Sequence, residues 1–394
     1  MKRAVSITAI LAVALLSSSA QAVRVPVGED SALNFAVLMQ PRVELDDGFS
    51  PSGNLATDFY VRRARLNITG NLGKLLVFQL QADMPRIGLR GNYANTPFLW
   101  QDANIAFTPI DGLFLQAGFM VIPLSRGELG SSAAFQTLDL LGSPIRMLSD
   151  AGLRETGFQV RYIGLDKKLN FRVGAFEGIR STTQLPLSPG GNTPTPLNPD
   201  RVPKLAGYVQ YSILGAEPTE TFNGIYFSEK PIVSVGVGGQ YMQKAVVTGT
   251  APNPVYNDYG ALAGSLFVEF PFSTDFEIVG AGNVYKYYTG TGDPNNGIGF
   301  TGDLGVRFGK IEPVISFQHF SGDAHTRDFR RPAAGLNWWI AKHAANLKFE
   351  VAKEWSGDLT RSAHTPSNVF NAAIANGTNG AVWQYLLQAQ MVFQ

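Results

Sequence analysis

The stretch WQYLLQAQMVF, residues 383–393, carries the alternation that decides the fold. Trp383, Tyr385, Leu387, Ala389, Met391 and Phe393 form one apolar face, while Gln384, Gln388 and Gln390 lie on the other. A period of two marks a strand whose two faces meet different surroundings. The same pattern sets Leu169, Phe171, Val173 and Ala175 against Asn170, Arg172 and Gly174, and Phe300, Leu304, Val306 and Phe308 against Thr301, Asp303 and Arg307. The polar faces carry few apolar groups, which does not suit packing against a second sheet. The apolar faces need a greasy surrounding, and lipid supplies one.

Working outward, strands are predicted at 33–43, 58–70, 75–84, 99–108, 113–121, 154–163, 169–177, 203–213, 232–243, 259–270, 276–288, 299–308, 311–320, 333–341, 346–355 and 383–393, sixteen in all. Their lengths are close to the ~9–11 residues that a tilted strand needs to cross a bilayer. Tight turns join them at 71–74, 109–112, 164–168, 271–275, 309–310 and 342–345, and every odd-to-even connection is longer, including 122–153, 178–202 and 356–382. Short turns on one rim and long loops on the other are the habit of an outer-membrane barrel. One connection breaks the rule: 214–231 should be short, and reads as an inserted periplasmic segment or as a miscounted pair of strands. Phe59, Tyr60, Phe98, Trp100, Tyr285, Tyr287, Tyr288, Trp338, Trp355, Trp383 and Tyr385 gather near strand ends, where interfacial girdles sit.

The expected fold is therefore all-β: a 16-stranded antiparallel transmembrane β-barrel with short periplasmic turns, long external loops and an inward-folded third loop. An open edge in lipid would leave a row of backbone groups without partners, so the last strand must pair with the first. Sixteen strands enclose more space than side chains alone fill, so water enters. The alternative is a large soluble all-β protein with an aromatic core.

Charge and composition narrow the function. Lys and Arg total 32 against 31 Asp and Glu, which argues against nucleic-acid binding driven by bulk charge. With 45% apolar and 16% charged residues the chain is not disordered, and having no Cys it has neither a disulfide scaffold nor a Cys-based zinc site. Lys2 and Arg3, the apolar run 5–16 and the small-residue ending Ala20-Gln21-Ala22 have the layout of a secretory signal. The expectation is a signal peptide at 1–22 and a barrel over 23–394, in the outer membrane of a Gram-negative bacterium. Its expected partners are the lipid bilayer, lipopolysaccharide and small hydrophilic or anionic solutes.

Parity places Arg63, Arg65, Arg161, Arg172, Arg307 and Lys348 in the lumen, with Asp83, Asp102, Glu269, Glu277, Asp303, Glu312 and Glu350. Loop 122–153 adds Arg126, Glu128, Asp139, Arg146 and Asp150, and its length predicts an inward fold that narrows the channel. The candidates for pore lining and selectivity are Arg63, Arg65, Arg126, Arg146, Arg161, Arg172, Asp83 and Asp102. Two roles stay open for the arginines. They steer anions by focused potential, or they brace the wall, since a five-residue turn over Asn71–Leu75 would set Arg63 opposite Asp83.

Catalysis finds little footing. His319 and Ser321 are two apart on one strand, roughly 7 Å along it, too far for a nucleophile and its base. His325 and His364 fall in external loops and His343 in a short turn, where each reads as a solvated side chain. No cofactor or metal motif is present. The expected function is passive diffusion of small hydrophilic solutes and ions. The alternatives are an adhesin or scaffold with little conductance and, less favoured, an outer-membrane hydrolase.

FYVRRARLNITG (59–70), followed by LLVFQLQADM (75–84), and QDANIAFTPIDGLFLQAGFMVIPLS (101–125) resemble the phosphate-selective porin O and P family, most clearly over about 58–177. The resemblance implies a sixteen-stranded outer-membrane barrel, a homotrimer, and passage of anions with phosphate among them. Two features depart from it. Loop 122–153 holds no Lys where the resemblance implies a lysine cluster, and Gln394 follows the aromatic Phe393 on which such barrels commonly end.

Overall fold

A computed structural model describes residues 23–47, 54–93, 97–141, 153–186, 192–217, 221–250, 253–291, 293, 295–323, 328–356 and 381–393. The first half of the chain forms β1 (Val23–Gly28), β2 (Ser31–Asp46), β3 (Ala56–Leu72), β4 (Leu76–Asp83), β5 (Leu99–Phe107), β6 (Leu113–Val121), β7 (Arg154–Gly164), β8 (Leu169–Phe176), β9 (Thr182–Pro186) and β10 (Asn192–Pro196). The second forms β11 (Lys204–Leu214), β12 (Ile232–Thr250), β13 (Asn253–Ser273), β14 (Phe276–Tyr288), β15 (Gly297–Phe308), β16 (Ile311–Gly322), β17 (Phe329–Ala341), β18 (Ala345–Ser356) and β19 (Ala381–Phe393). The only helical element among the described residues is a single 3-10 turn at Leu89–Gly91. No described helix is long and apolar enough to cross a membrane.

Strands β2–β8 and β11–β19 pair in order, all antiparallel, as the sixteen staves of a closed ring. Two seams close it: β8 meets β11 through Phe176↔Lys204, and β19 returns to β2 from Gln384↔Asp46 to Phe393↔Val37. Closure leaves no open sheet edge inside the hydrocarbon layer. β1 lies outside the count. It folds back on β2 with Val23 opposite Phe35, covering the β2 edge just past the point where β19 ends.

All sixteen predicted strands are present, with three differences of detail. The β3–β4 hairpin pairs Leu72 with Leu76, and Gly73 sits at φ 62° in the left-handed region. This tighter turn shifts the register by two, so Arg65 and not Arg63 faces Asp83, while every side chain keeps its face. Strands β12 and β13, 19 and 21 residues long, continue as a tall ribbon to the Thr250↔Asn253 pair, so much of that external connection is strand. Finally, 214–231 is an inserted segment and not a missed pair of strands, because β11 and β12 are direct neighbours through Leu214↔Val233.

The outward face is greasy. Leu262, Leu266, Val284, Ile298, Leu304 and Ile315 are all exposed there. At the short-turn rim Phe272, Phe276 and Phe308 pile up with ring centroids 5.2 Å apart, and Trp338 stands exposed nearby in sequence order on β17. Phe59, Trp100, Tyr288, Trp355 and Trp383 are exposed at the opposite end of their strands. Tyr60, Tyr285 and Tyr287 do not belong to a girdle: they are buried on the lumen face, because parity rather than nearness to a strand end sets which side an aromatic takes.

This arrangement predicts opposite tolerance on the two faces. Leu266→Arg, on the lipid face, costs about 2–4 kcal/mol in urea titrations of the folded barrel, whereas Gln79→Arg, on the lumen face, costs well under half of that. Equal losses would contradict the assignment of faces.

Candidate functional site: a constricted lumen

The loop between β6 and β7 enters the barrel. Its ends are clasped by the Ile122 N–H donating to the Leu153 carbonyl at 3.0 Å. Ile122 and Leu124 are fully buried and join Met120, Phe176, Met242, Tyr259, Tyr285, Tyr287 and Phe320 in an apolar cluster inside the ring. Gly238 on β12 makes this approach feasible, since a Cβ there would lie 2.1 Å from the Leu124 carbonyl oxygen. Polar clamps follow: the Ser125 hydroxyl meets Tyr285 Oη at 2.9 Å, and the Arg126 N–H donates to Ser265 Oγ at 3.1 Å. The loop then crosses to the far wall. Gln136 donates to Glu312 at 2.9 Å, Asn337 to the Gln136 carbonyl at 2.8 Å, Gln390 to the Ala133 carbonyl at 2.7 Å, and the Lys348 ammonium to the Phe135 carbonyl. The inward fold expected of this loop holds for 122–141; Arg146 and Asp150 lie outside the described residues.

At the tip, Asp139 gathers three guanidiniums: Arg42 at 2.7 Å, Arg62 at 2.9 Å and Arg63 at 3.3 Å. A bulge in β3, where Gln40 pairs with Arg63 but Pro41 with Val61, lets the consecutive Arg62 and Arg63 reach the same carboxylate. Beside them Arg65 bonds Asp83 at 2.7 Å and also the Ser132 hydroxyl, and Arg154 bonds Asp102 at 3.2 Å. Of the predicted residues, Arg63, Arg65, Asp83 and Asp102 thus fall on one arc of wall beside the loop. Arg161 and Arg172 stand directly opposite each other across β7 and β8, against the Phe114 ring at 4.1 Å and the Phe222 ring at 5.8 Å, apart from that arc. Arg126 faces the other way, held by Glu217 at 2.7 Å.

Sequence reasoning missed Arg42, Arg62 and Arg154. The continuous apolar run 35–39 hides the parity of β2, and only Pro41, unusual inside a strand, hinted at the bulge.

The inserted connection, residues 215–217 and 221–231, also rises into the lumen. Its Phe222 N–H donates to the Leu129 carbonyl, and Phe222 and Gly224 exchange backbone bonds with Ser131 and Ala134 of the loop. The N–H groups of Tyr226 and Ser228 end on the Glu269 carboxylate at 2.8 and 2.6 Å. With both segments in place, lumen-facing groups of β11–β19 such as Gln240, Thr301, Glu312 and Gln388 are buried, while Asn67, Gln79, Gln81, Asn104 and Gln116 of β3–β6 stay half-exposed. The water-accessible path therefore follows the β3–β6 wall, where Gln79 bonds Asn67 and Gln159 bonds Gln116, which bonds Asn104.

Among the described residues, His319 and His343 stand apart from one another. His319 and Ser321 share the outward face of β16, where His319 stacks on Phe317 and its Nδ1 meets the Phe329 carbonyl at 3.0 Å. His325 and His364 lie outside the described residues. Among the described residues no cluster of His, Asp and Glu is arranged to hold a metal ion.

A closed sixteen-stranded barrel narrowed by an inward loop is the architecture of an outer-membrane channel. The family model described as phosphate-selective porin O and P matches residues 39–187, which bears out the resemblance read from the motifs. Curated proteins include no match to this sequence. Among solved structures of similar fold is the anion-selective porin from Comamonas acidovorans, 12% identical, with a TM-score of 0.59 over 92% of this chain and 100% of that one. The outer membrane channel DcaP of Acinetobacter baumannii is 11% identical, with a TM-score of 0.55 over 94% and 99% of the two chains. OmpT of Vibrio cholerae in its trimer form is 10% identical, with a TM-score of 0.51 over 92% and 100%. At these identities the likeness is one of fold. Family match and barrel together support a channel and point to a bacterial outer membrane.

His343, in the turn between β17 and β18, differs from the solvated residue that its position suggests. Phe227 and Trp339 enclose its ring at 5.1 and 5.6 Å, and its Nε2–H donates to the Ile225 carbonyl at 2.8 Å. Burial pushes its pKa down to about 4; the Ile225 bond opposes the shift, and Lys348 and Lys342 add to it. An undocked His343 takes up its proton near the ordinary value of ~6.5, so docking of the inserted segment is at full strength above that pH and weakens as pH falls toward about 4. Amide exchange of residues 221–231, corrected for intrinsic rate, is expected to quicken between pH 7 and 4. In His343→Phe it is expected to stay level, and a flat wild-type profile would refute the coupling.

Proposed function

We propose that this protein is a diffusion channel for small hydrophilic solutes whose constriction favours anions. The observation that carries the reading is the arc beside the inward loop. There five guanidiniums, of Arg42, Arg62, Arg63, Arg65 and Arg154, meet three carboxylates, of Asp139, Asp83 and Asp102, so that cations outnumber anions within these ion pairs. In a low-dielectric throat such an excess focuses potential and raises the local concentration of the opposite ion. Selectivity for phosphate alone is not part of this reading. Most other lumen cations are matched within the wall, as in Lys204 with Glu155, Arg307 with Glu277 and Arg331 with Glu350, and loop 122–153 has no Lys. Arg65 is at once a wall brace and part of the positive arc, so the two roles weighed from the sequence are compatible.

The reading includes removal of residues 1–22 on export, a lipid and lipopolysaccharide surrounding for the outer face, and assembly as a homotrimer. The trimer form of the similarly folded Vibrio protein supports the last.

Reconstituted in planar bilayers, the protein is expected to give ohmic steps and a reversal potential of anion-selective sign across a salt gradient. Asp139→Asn removes a carboxylate from beside three arginines and is expected to move that potential further in the same direction. A cation-selective wild type would overturn the anion preference, and a folded but silent barrel the channel itself.

A further inference from the structure

The connection between β11 and β12 has no structural need for its length, since two antiparallel neighbours can be joined by a two-residue turn. Instead it runs from Leu214 to Pro231 before Ile232 resumes the sheet. What it does with that length is specific. Glu217 accepts from Arg126 of the inward loop at 2.7 Å, from Gln210 at 2.7 Å and from the Tyr226 hydroxyl at 2.6 Å. Phe222 packs edge-on against Tyr208 and lies beneath the Arg126 guanidinium, which also sits 3.8 Å from the centre of the Phe267 ring. Phe227 stacks edge-on with Trp339 at 5.2 Å, and the Ile225 carbonyl is capped by His343. The segment is therefore anchored on β11, on β13, and on the β17–β18 side of the ring. A chain fixed at those places crosses the lumen as a chord.

Its contact with the inward loop is equally close. Gly130 and Phe222 form a parallel backbone bridge, and the Gly224 N–H donates to the Ala134 carbonyl at 2.8 Å. A Cβ on Gly224 would lie 2.6 Å from the Gln136 nitrogen and 2.9 Å from the Ala134 oxygen, so only glycine lets the two segments lie this near.

We propose that the strap formed by 215–217 and 221–231 is the second lip of the constriction, reaching up from the short-turn rim to meet the inward loop, so that the two together confine permeation to the β3–β6 wall and set the size of solute that passes. This rests on the channel reading above and adds an element to it. The strap acts by steric exclusion and by pairing Arg126, whose charge would otherwise face the pore. In its absence the lumen beside β11–β17 opens and Arg126 joins the cations exposed to permeating ions.

Two variants test this. Gly224→Val forces the strap off the loop without altering the wall, and a second variant replaces 216–230 with Asn-Gly to restore an ordinary hairpin. Heat-modifiable migration on a denaturing gel verifies that each has closed its barrel. The proposal expects single-channel conductance to rise at least about twofold in the excision variant, with a smaller rise in Gly224→Val and a higher size limit for uncharged polyethylene glycols in both. A wild type that conducts and variants that match it in conductance and size limit would overturn the strap while leaving the channel reading intact. Silence in the wild type and in both folded variants would remove the channel reading itself. Silence in the wild type with conduction after excision would support the strap as a plug.

Discussion

The pairing of β19 with β2 is the constraint on which everything else depends. In water an unpaired strand edge costs little, because solvent satisfies its N–H and C=O groups; in hydrocarbon nothing does, at several kcal/mol for each group. The seam from Gln384↔Asp46 to Phe393↔Val37 removes that cost, and β1 continues the cover beside Phe35. Once the ring is closed, strand alternation has only one consistent solution. Residues such as Leu266 and Ile315 face lipid, and Gln388, Glu312 and Arg63 face inward.

A ring of sixteen staves is too wide to be filled by its own side chains, and this protein fills part of the surplus with chain. The inward loop brings in apolar residues, Ile122 and Leu124, which bury against aromatic and aliphatic groups on the inner wall. The strap brings in Phe222, Ile225 and Phe227 from the other rim. Among the described residues, part of the barrel interior is consequently as dry as a soluble core, while the amide-rich wall of β3–β6 stays half-exposed. The charged groups follow the same division. Where the interior is packed, Lys204, Arg307 and Arg331 each meet a carboxylate, and Glu269 and Glu312 are held by N–H donors, because an uncompensated buried charge is severely destabilising. Beside the loop tip three arginines share one aspartate, and of the three Arg62 is the one that keeps partial exposure.

Much of this was legible beforehand, for a physical reason. Lipid and water on opposite faces impose a strict period of two, and WQYLLQAQMVF or LNFRVGAF carries that period openly. The rim-to-rim asymmetry of the connections was equally readable, and so was the anomaly at 214–231. What did not show was anything decided by contacts between distant segments. The choice of Arg65 over Arg63 as the partner of Asp83 turned on whether Gly73 took a left-handed conformation, which sequence spacing does not fix. The gathering of Arg42, Arg62 and Arg63 on Asp139 needed a bulge and a loop fold together. Tyr285 and Tyr287 looked like interfacial aromatics until the inward loop supplied a dry surface for them to bury against.

The central claim, that one face of a closed sheet meets lipid while part of the other lines water, has a direct test because the chain contains no Cys. Single cysteines at Gln79 and Gln116 on the lumen face, and at Leu266 and Val284 on the outer face, can be challenged in outer-membrane vesicles with a charged, membrane-impermeant maleimide. Labelling of Gln79→Cys and Gln116→Cys, with Leu266→Cys and Val284→Cys protected, is the predicted result. Ready labelling of the outer-face pair with the lumen pair spared would contradict the account at its root.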